Sequence, residues 1–346
     1  MADLLNLLQR GEEYGQILNR LAPERPLVDR GDPFYNYNGI QFSQRYRISK
    51  RTALALVDDL AGPLARTRSD AIPAHIQVLS VLRFYAVGSF QLLHGDEIGL
   101  SQPSLSRLIA KVSAEIASWR PRYVCFPEQL EQVQQEFYTY SNFPGVIGAI
   151  DCTHILVTNP GGENGQMFIN RKGRSSINVQ AVCTLDGSLT NVVARWPGGT
   201  HDSRIFRESA LKQRLEQESH EAKWLLGDSG YPCHPYLMTP LLNPRDAAEG
   251  RYNAAHKRAR NVIERTFGRM KRRFPCLNGM RLKLETTLIV IVAVSVLWNI
   301  SIKNGDPEME GDIDPDEVPG DHVPPPGVNN LEGRLRRQNL IRQHFT

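Results

Sequence analysis

Residues 176–184 and 189–196 are two strand-length apolar runs joined by Leu185-Asp186-Gly187. An Asp-Gly pair between such runs is a hairpin signal, because the turn needs positive φ, which glycine accepts. A lone hairpin is marginal in water, so its faces must be covered by the rest of the chain. The flanking sequence supplies the cover. Residues 146–157 form another strand-like run before the hairpin, and Pro197-Gly198-Gly199 ends the hairpin's second strand. A helix is predicted from about 200 to 217. A fourth apolar run, Trp224-Leu225-Leu226, stops at Gly227-Asp228. A long helix is predicted over about 251–274, and a last one around the apolar run 288–298. The order β-β-β-α-β-α-α predicts an α/β domain over residues 142–303.

The remainder reads differently. Residues 1–22 have the spacing of a short amphipathic helix, and the Pro-, Gly- and Asn-rich stretch 23–45 reads as an irregular connection. Residues 48–137 read as helical pieces broken at Pro63, Pro73, Pro103, Pro121 and Pro127. Together 1–141 form an expected helical N-terminal region. With 41 % hydrophobic and 23 % charged residues the chain is in the globular range, so a wholly disordered polypeptide is excluded.

The net charge of +4 hides a segregation. Residues 251–283 hold eleven Lys or Arg and a single acid, Glu264, whereas 304–330 hold eight acids and no base. The second stretch also contains Pro307, Pro315, Pro319 and Pro324 to Pro326, and is expected to be a disordered acidic linker before a basic segment at 331–346. The five cysteines form no CxxC pair and their number is odd, which argues for reduced thiols in a nuclear or cytosolic protein. The longest apolar run has eleven residues against the ~20 needed to span a bilayer, and the N-terminus has no signal-peptide pattern. No membrane segment is expected.

A helix-turn-helix is a candidate at 75–119, with helices at 75–87, 90–98 and 102–119. Gly99-Leu100-Ser101 would form the last turn, with Ser101 as cap. Leu105, Leu108, Ile109, Val112 and Ile116 make one apolar stripe. Gln102, Ser104, Ser106, Arg107 and Lys111 then face outward, with side-chain types that touch base edges and phosphates. An ordinary helical hairpin fits the same pattern.

Asp151 and Asp228 each follow a predicted buried strand, where an unpartnered carboxylate costs several kcal/mol (about 2–7 for a neutral polar group and more for a charge). Divalent cations relieve that cost. With Glu264, which borders the stripe Ile263, Phe267, Met270 and Phe274, these acids can serve as a two-metal site for phosphodiester chemistry. Hard oxygen donors suit Mg²⁺ or Mn²⁺. Taken singly, each acid is better read as a turn cap or a solvated group; the metal reading gains when all three fall in place in one β-β-β-α-β-α order. Asp202 stands at a predicted helix start capped by Thr200, where it either serves the helix N-terminus or joins the metal ligands. His154 and His201 are structural or supporting groups. The basic residues Lys257, Arg258, Arg260, Lys271 and Arg272 around Glu264 suit phosphate contact or nuclear import.

Several segments then resemble one known family: VIGAIDCTHI at 146–155, NRKG at 170–173, HDSR at 201–204, LGDSGY at 226–231 and VIERTFG at 262–268. They are similar to the PIF/Harbinger DDE transposases, and more specifically to the Harbinger transposase-derived nucleases of animals, over about residues 45–303. The resemblance implies an RNase H-like core with a mixed sheet flanked by helices. It implies catalytic Asp151, Asp228 and Glu264, with Asp202 counted among the metal ligands. It also implies a DNA substrate, a divalent metal, a separate Myb-like partner, and residence in nucleus and cytoplasm. A homodimer would suit paired element ends. Trp298 departs from the family, which often has His there. Three functions stand: a metal-dependent DNA endonuclease, a DNA-binding or partner-recruiting protein on an inactive nuclease scaffold, or, behind these, another RNase H-like hydrolase acting on RNA.

Overall fold

The computed structural model describes residues 32–65, 72–88, 99–217, 222–309 and 330–346. The amphipathic segment at 1–22 and the middle helix of the candidate helix-turn-helix lie outside these residues.

Residues 33–46, expected to be irregular, form two short helices, α1 (Pro33–Asn36) and α2 (Gly39–Tyr46). Local capping overrides turn composition here. Asp32 accepts from the Phe34 amide ahead of a proline at the first helical position, and Asn38 and Gln41 make a reciprocal capping box. The expected helical pieces follow as α3 (Lys50–Leu64), α4 (Ala74–Val87), α5 (Gln102–Ser118), α6 (Arg120–Tyr123) and α7 (Leu130–Ser141).

The α/β part has strands β1 (Val146–Leu156), β2 (Ser176–Cys183), β3 (Leu189–Pro197), β4 (Trp224–Leu226) and β5 (Leu237–Met238). Their spatial order is β3-β2-β1-β4-β5. The first three are antiparallel neighbours, while β4 runs parallel to β1 and β5 parallel to β4. This is a five-stranded mixed sheet flanked by helices, consistent with a DDE nuclease fold; the mixed sheet is as the resemblance implies, the fifth strand is not. β5 was not foreseen; two residues carry no period. The helix expected over 200–217 is broken into α8 (Asp202–Arg207) and α9 (Ala210–Gln217). It starts after His201, which makes no side-chain cap, so Thr200 is not the N-cap.

Helix α10 (Ala247–Arg273), capped by Asp246, packs on β1, and α11 (Leu284–Lys303) packs between β3 and α5. By length and composition α11 could cross a membrane, but Val290, Ala293, Val294, Val296 and Leu297 are fully buried in the core. The sheet is therefore covered on one face by α10 and α11 and on the other by α8 and α9. The second core joins Ile150 and Val182 to Phe206, Leu211 and Leu215.

The start of the expected acidic linker is tied down. Thr52 donates to Asp306 Oδ1 (2.8 Å), Arg273 donates to Pro307 O (2.7 Å), and Arg269 pairs with Glu308 (2.6 Å). Residues 310–329 lie outside the described part. The basic C-terminal segment forms α12 (Leu331–His344), which buries Leu340 and Ile341, while Arg337 donates to Thr239 O (3.0 Å) beside β5.

Candidate active site

Register places the two strand acids. Ala149 of β1 pairs with Leu226 of β4 in parallel, and Asp151 and Asp228 each stand two residues further on. Neighbouring strands are about 4.8 Å apart, so the two carboxylates stand side by side, although Asp151 is in the middle of β1 rather than after it, as expected, and only Asp228 follows its strand. The close approach uses Gly227, where an added Cβ would meet Tyr231, Leu237 and Ile150.

Asp151 lies opposite Ala181 on the face covered by α10. One oxygen accepts from the Cys152 amide (2.8 Å), and the other accepts from Arg260 Nη1 (3.0 Å). Arg260 Nη2 also donates to Glu264 Oε1, one turn along the same helix. The guanidinium is therefore clamped between a strand acid and a helix acid, and only 13 % of its side chain is exposed. Burial drives the Asp151 carboxyl well above the usual carboxylate range. The charges of Asp228 and then Asp202 add to that shift, and Arg260 opposes it. For Arg260 burial pulls down, but Asp151, Glu264 and Asp228 outweigh it and hold the proton more tightly.

Asp202, in the first turn of α8, is buried and accepts from Asn178 Nδ2 (2.9 Å). The same Asn178 amide donates to Thr200 O (2.9 Å), fixing the turn into α8. Cys152 Sγ lies 3.3 Å from the Tyr231 hydroxyl, and burial pushes its thiol up, with the Asp202 charge adding to it. Asp228 caps its own loop by accepting from the Gly230 amide (2.9 Å). His154 is exposed and pairs with Ser176 Oγ (3.1 Å), which also accepts from Asn170 (3.1 Å); His201 is exposed. Asn178 was not foreseen, although a polar residue inside an apolar strand is a visible signal.

Among the described residues no three acidic, His or Cys side chains stand close enough to hold a metal as they are. The donor chemistry nonetheless fits a hard cation. Asp151 of β1 and Glu264 of α10 already gather a positive charge between them, and the Asp228 charge, from just beyond β4, raises the proton affinity of Asp151.

The remaining expected nucleic-acid contacts separate. Lys257 and Arg258 are exposed on α10, and Lys271 and Arg272 are half-buried. Arg260 faces the acids rather than the outside. Gln102 and Arg107 are exposed on α5, while Ser104 is half-buried and accepts from Ser101 and Arg107; Lys111 is half-buried. Ser101 caps α5 and the apolar stripe of α5 is buried, as expected. Because α5 lies behind α11, it stands one layer away from the sheet that carries the acids. Trp298 donates its indole N–H to Gly187 O (2.8 Å) and is built into the core.

The family model for DDE superfamily endonuclease matches residues 150–299. Among curated proteins, "Putative nuclease HARBI1" of Bos taurus is 37 % identical over 317 residues, covering 87 % of this chain and 89 % of that one. The protein of the same name in Homo sapiens is 36 % identical over 315 residues, with the same coverage. "Protein ALP1-like" of Arabidopsis thaliana is 24 % identical over 293 residues, covering 78 % of this chain and 72 % of that one. No solved structure matches the chain.

Proposed function

The chain belongs to the Harbinger transposase-derived nuclease family, and from that premise we propose that it is a divalent-metal-dependent DNA endonuclease with an RNase H-like core. The observation that carries this reading is the equal register of Asp151 and Asp228 on adjacent parallel strands, with Glu264 facing them from α10. Asp151, Asp228 and Glu264 would hold Mg²⁺ or Mn²⁺, with Asp202 a further acid close enough to act on Asp151. When bound, the cations supply charge compensation and Lewis acidity at the scissile phosphate. The chain's own part is to present acids from two rigid strands and one long helix, so that their spacing does not depend on loops. Arg260, released from the carboxylates, carries a planar fork matched to phosphate oxygens.

The exposed Lys257 and Arg258, next to that fork, support a DNA substrate. A Myb-like partner, a homodimer, and residence in nucleus and cytoplasm belong to the same reading through the family. A helix-turn-helix at 75–119, meeting DNA through Gln102, Ser104, Arg107 and Lys111, is part of the same proposal. One observation favours a second reading: Arg260 already neutralises Asp151 and Glu264, which is what an inactive scaffold would need.

Calorimetric titration of Mn²⁺ into the full chain, beside Asp151→Ala/Asp228→Ala and with and without duplex DNA, separates the two. Binding by the wild type that the double variant loses is expected. Equal or absent binding in both, with and without duplex, overturns the nuclease reading in favour of the scaffold.

A further inference from the structure

On its β4 side, β1 is paired only as far as Ala149, because β4 ends at Leu226. The next neighbour on the tail of β1 is Met280, whose amide donates to Leu156 O (2.9 Å) and whose carbonyl accepts from the Thr158 amide (3.3 Å). Asp151 therefore opens onto a gap in the sheet that is closed at its far end by residues 280–283. There the burial alternates: Met280, Leu282 and Leu284 turn inward, and Arg281 and Lys283 are exposed between them.

On the other side of the same strand end, the Val157 amide donates to Ser175 O (3.0 Å), and Ser175 pairs with Ile169 to close a short hairpin. Asn170 makes that hairpin rigid. Its side-chain oxygen accepts from the amides of Lys172 (3.0 Å) and Arg174 (3.1 Å), its amide reaches Ser176, and Gly173 takes a φ of 72°. The tip displays Arg171, Lys172 and Arg174, all exposed.

Ser175, Val157 and Met280 are thus three adjacent strand positions, about 10 Å across at the usual strand spacing. Five cations flank them, against Glu163 and Glu285 in the same two segments. From Asp151 to Val157 is six residues, about 20 Å along an extended strand. Exposed cations carried on both sides of one strand end attract the phosphates of a polyanion.

We propose that Arg171, Lys172, Arg174, Arg281 and Lys283 form a phosphate-binding platform that holds duplex DNA about 20 Å from the acid cluster, beyond the α5 and α10 contacts. This inference rests on the nuclease reading above. The fixed loop that carries Arg171 and Lys172 then acts as a positioning element, setting which side of the cut the duplex extends from.

The test is fluorescence anisotropy of the full chain on a labelled duplex of arbitrary sequence, between ~50 and ~200 mM salt. Each phosphate contact contributes about −0.9 to the slope of log K against log salt. For Arg171→Gln/Lys172→Gln/Arg174→Gln the slope should become shallower by about 2 to 3, with a roughly tenfold weaker affinity at the low-salt end. Arg281→Gln/Lys283→Gln should lose about 1 to 2 of slope. Thermal melting checks the fold, and if the triple variant melts lower the double variant decides. Wild-type slope and affinity in the deciding variant, while Lys257→Gln/Arg258→Gln binds more weakly, would overturn the platform and leave the nuclease reading standing. A wild-type protein that binds no duplex at the lowest salt would overturn both.

Discussion

Arg260 Nη1 stands 3.0 Å from Asp151 Oδ2 while the other arm of the same guanidinium holds Glu264. An internal cation thus joins a strand acid to a helix acid at the point where the family reading places a divalent metal.

Removing that cation tests the relationship. Arg260→Gln leaves two partly buried carboxylates without their partner, and breaking such a pair costs ~3–5 kcal/mol. The variant should melt several degrees below the wild type in chelator. Mn²⁺ should restore more stability to it than to the wild type, because the metal no longer competes with an arginine. An equal Mn²⁺-induced shift in both proteins would show that Arg260 and the metal do not share a site.

His256, in the middle of α10, predicts a pH dependence. Burial, joined by the charges of Arg260 and Arg337, pushes its imidazole down to about 3 against the opposing bond to Met238 O. A base held neutral in the fold binds its proton more readily when unfolded. Its stabilising effect is therefore complete above its ordinary value near 6.5 and is lost as pH falls toward about 3. Asp151, shifted upward, acts in the opposite sense, losing stability as pH rises. Urea unfolding of wild type and His256→Asn at several pH values below 6.5 isolates the histidine. The variant should lose a slope of up to ~1.4 kcal/mol per pH unit. Parallel curves would exclude the assignment.

Two glycines should respond with opposite signs to the same change. A Cβ at Gly198 would overlap Ser176 Oγ and stand 2.6 Å from Phe168 O, where the end of β3 passes under the hairpin base. Gly198→Ala should cost ~1–3 kcal/mol. At Gly250, inside α10, nothing lies within 4 Å, so Gly250→Ala should gain ~0.5–1 kcal/mol. Chemical denaturation midpoints decide both, and a neutral Gly198→Ala would mean that the crossing is looser than described.

Much of this architecture was readable from the residues. The apolar run ending at Gly227-Asp228 marks β4, the run that holds Asp151 marks β1, which continues past the acid to Leu156, and Glu264 stands out as the single acid of a basic helix. Their meeting depends on the β1–β4 register, which no local pattern states. Arg260 was grouped with outward-facing cations, although its i,i+4 spacing to Glu264 was visible. What turns it inward is Asp151, 109 residues away. Arg273 was part of the same basic run and is instead 5 % exposed, donating to Arg47 O (2.7 Å) and Pro307 O. A charge run does not say which member meets backbone carbonyls of distant segments. Capping by Asp32 and Asn38 lost to composition at 33–46, where the local rule was the better guide.

The shared step of Asp151 and Asp228 beyond Ala149 and Leu226 works as a vernier. Backbone pairing, not the length of the intervening chain, sets the carboxylate spacing. The segments between β1 and β2 and between β3 and β4 can therefore be lengthened or exchanged at modest closure entropy without moving either acid. A single residue inserted between Leu226 and Asp228 would break the match at once. Grafted recognition loops belong in the first kind of place, and the two-residue step from each paired position to its acid leaves no room for the second.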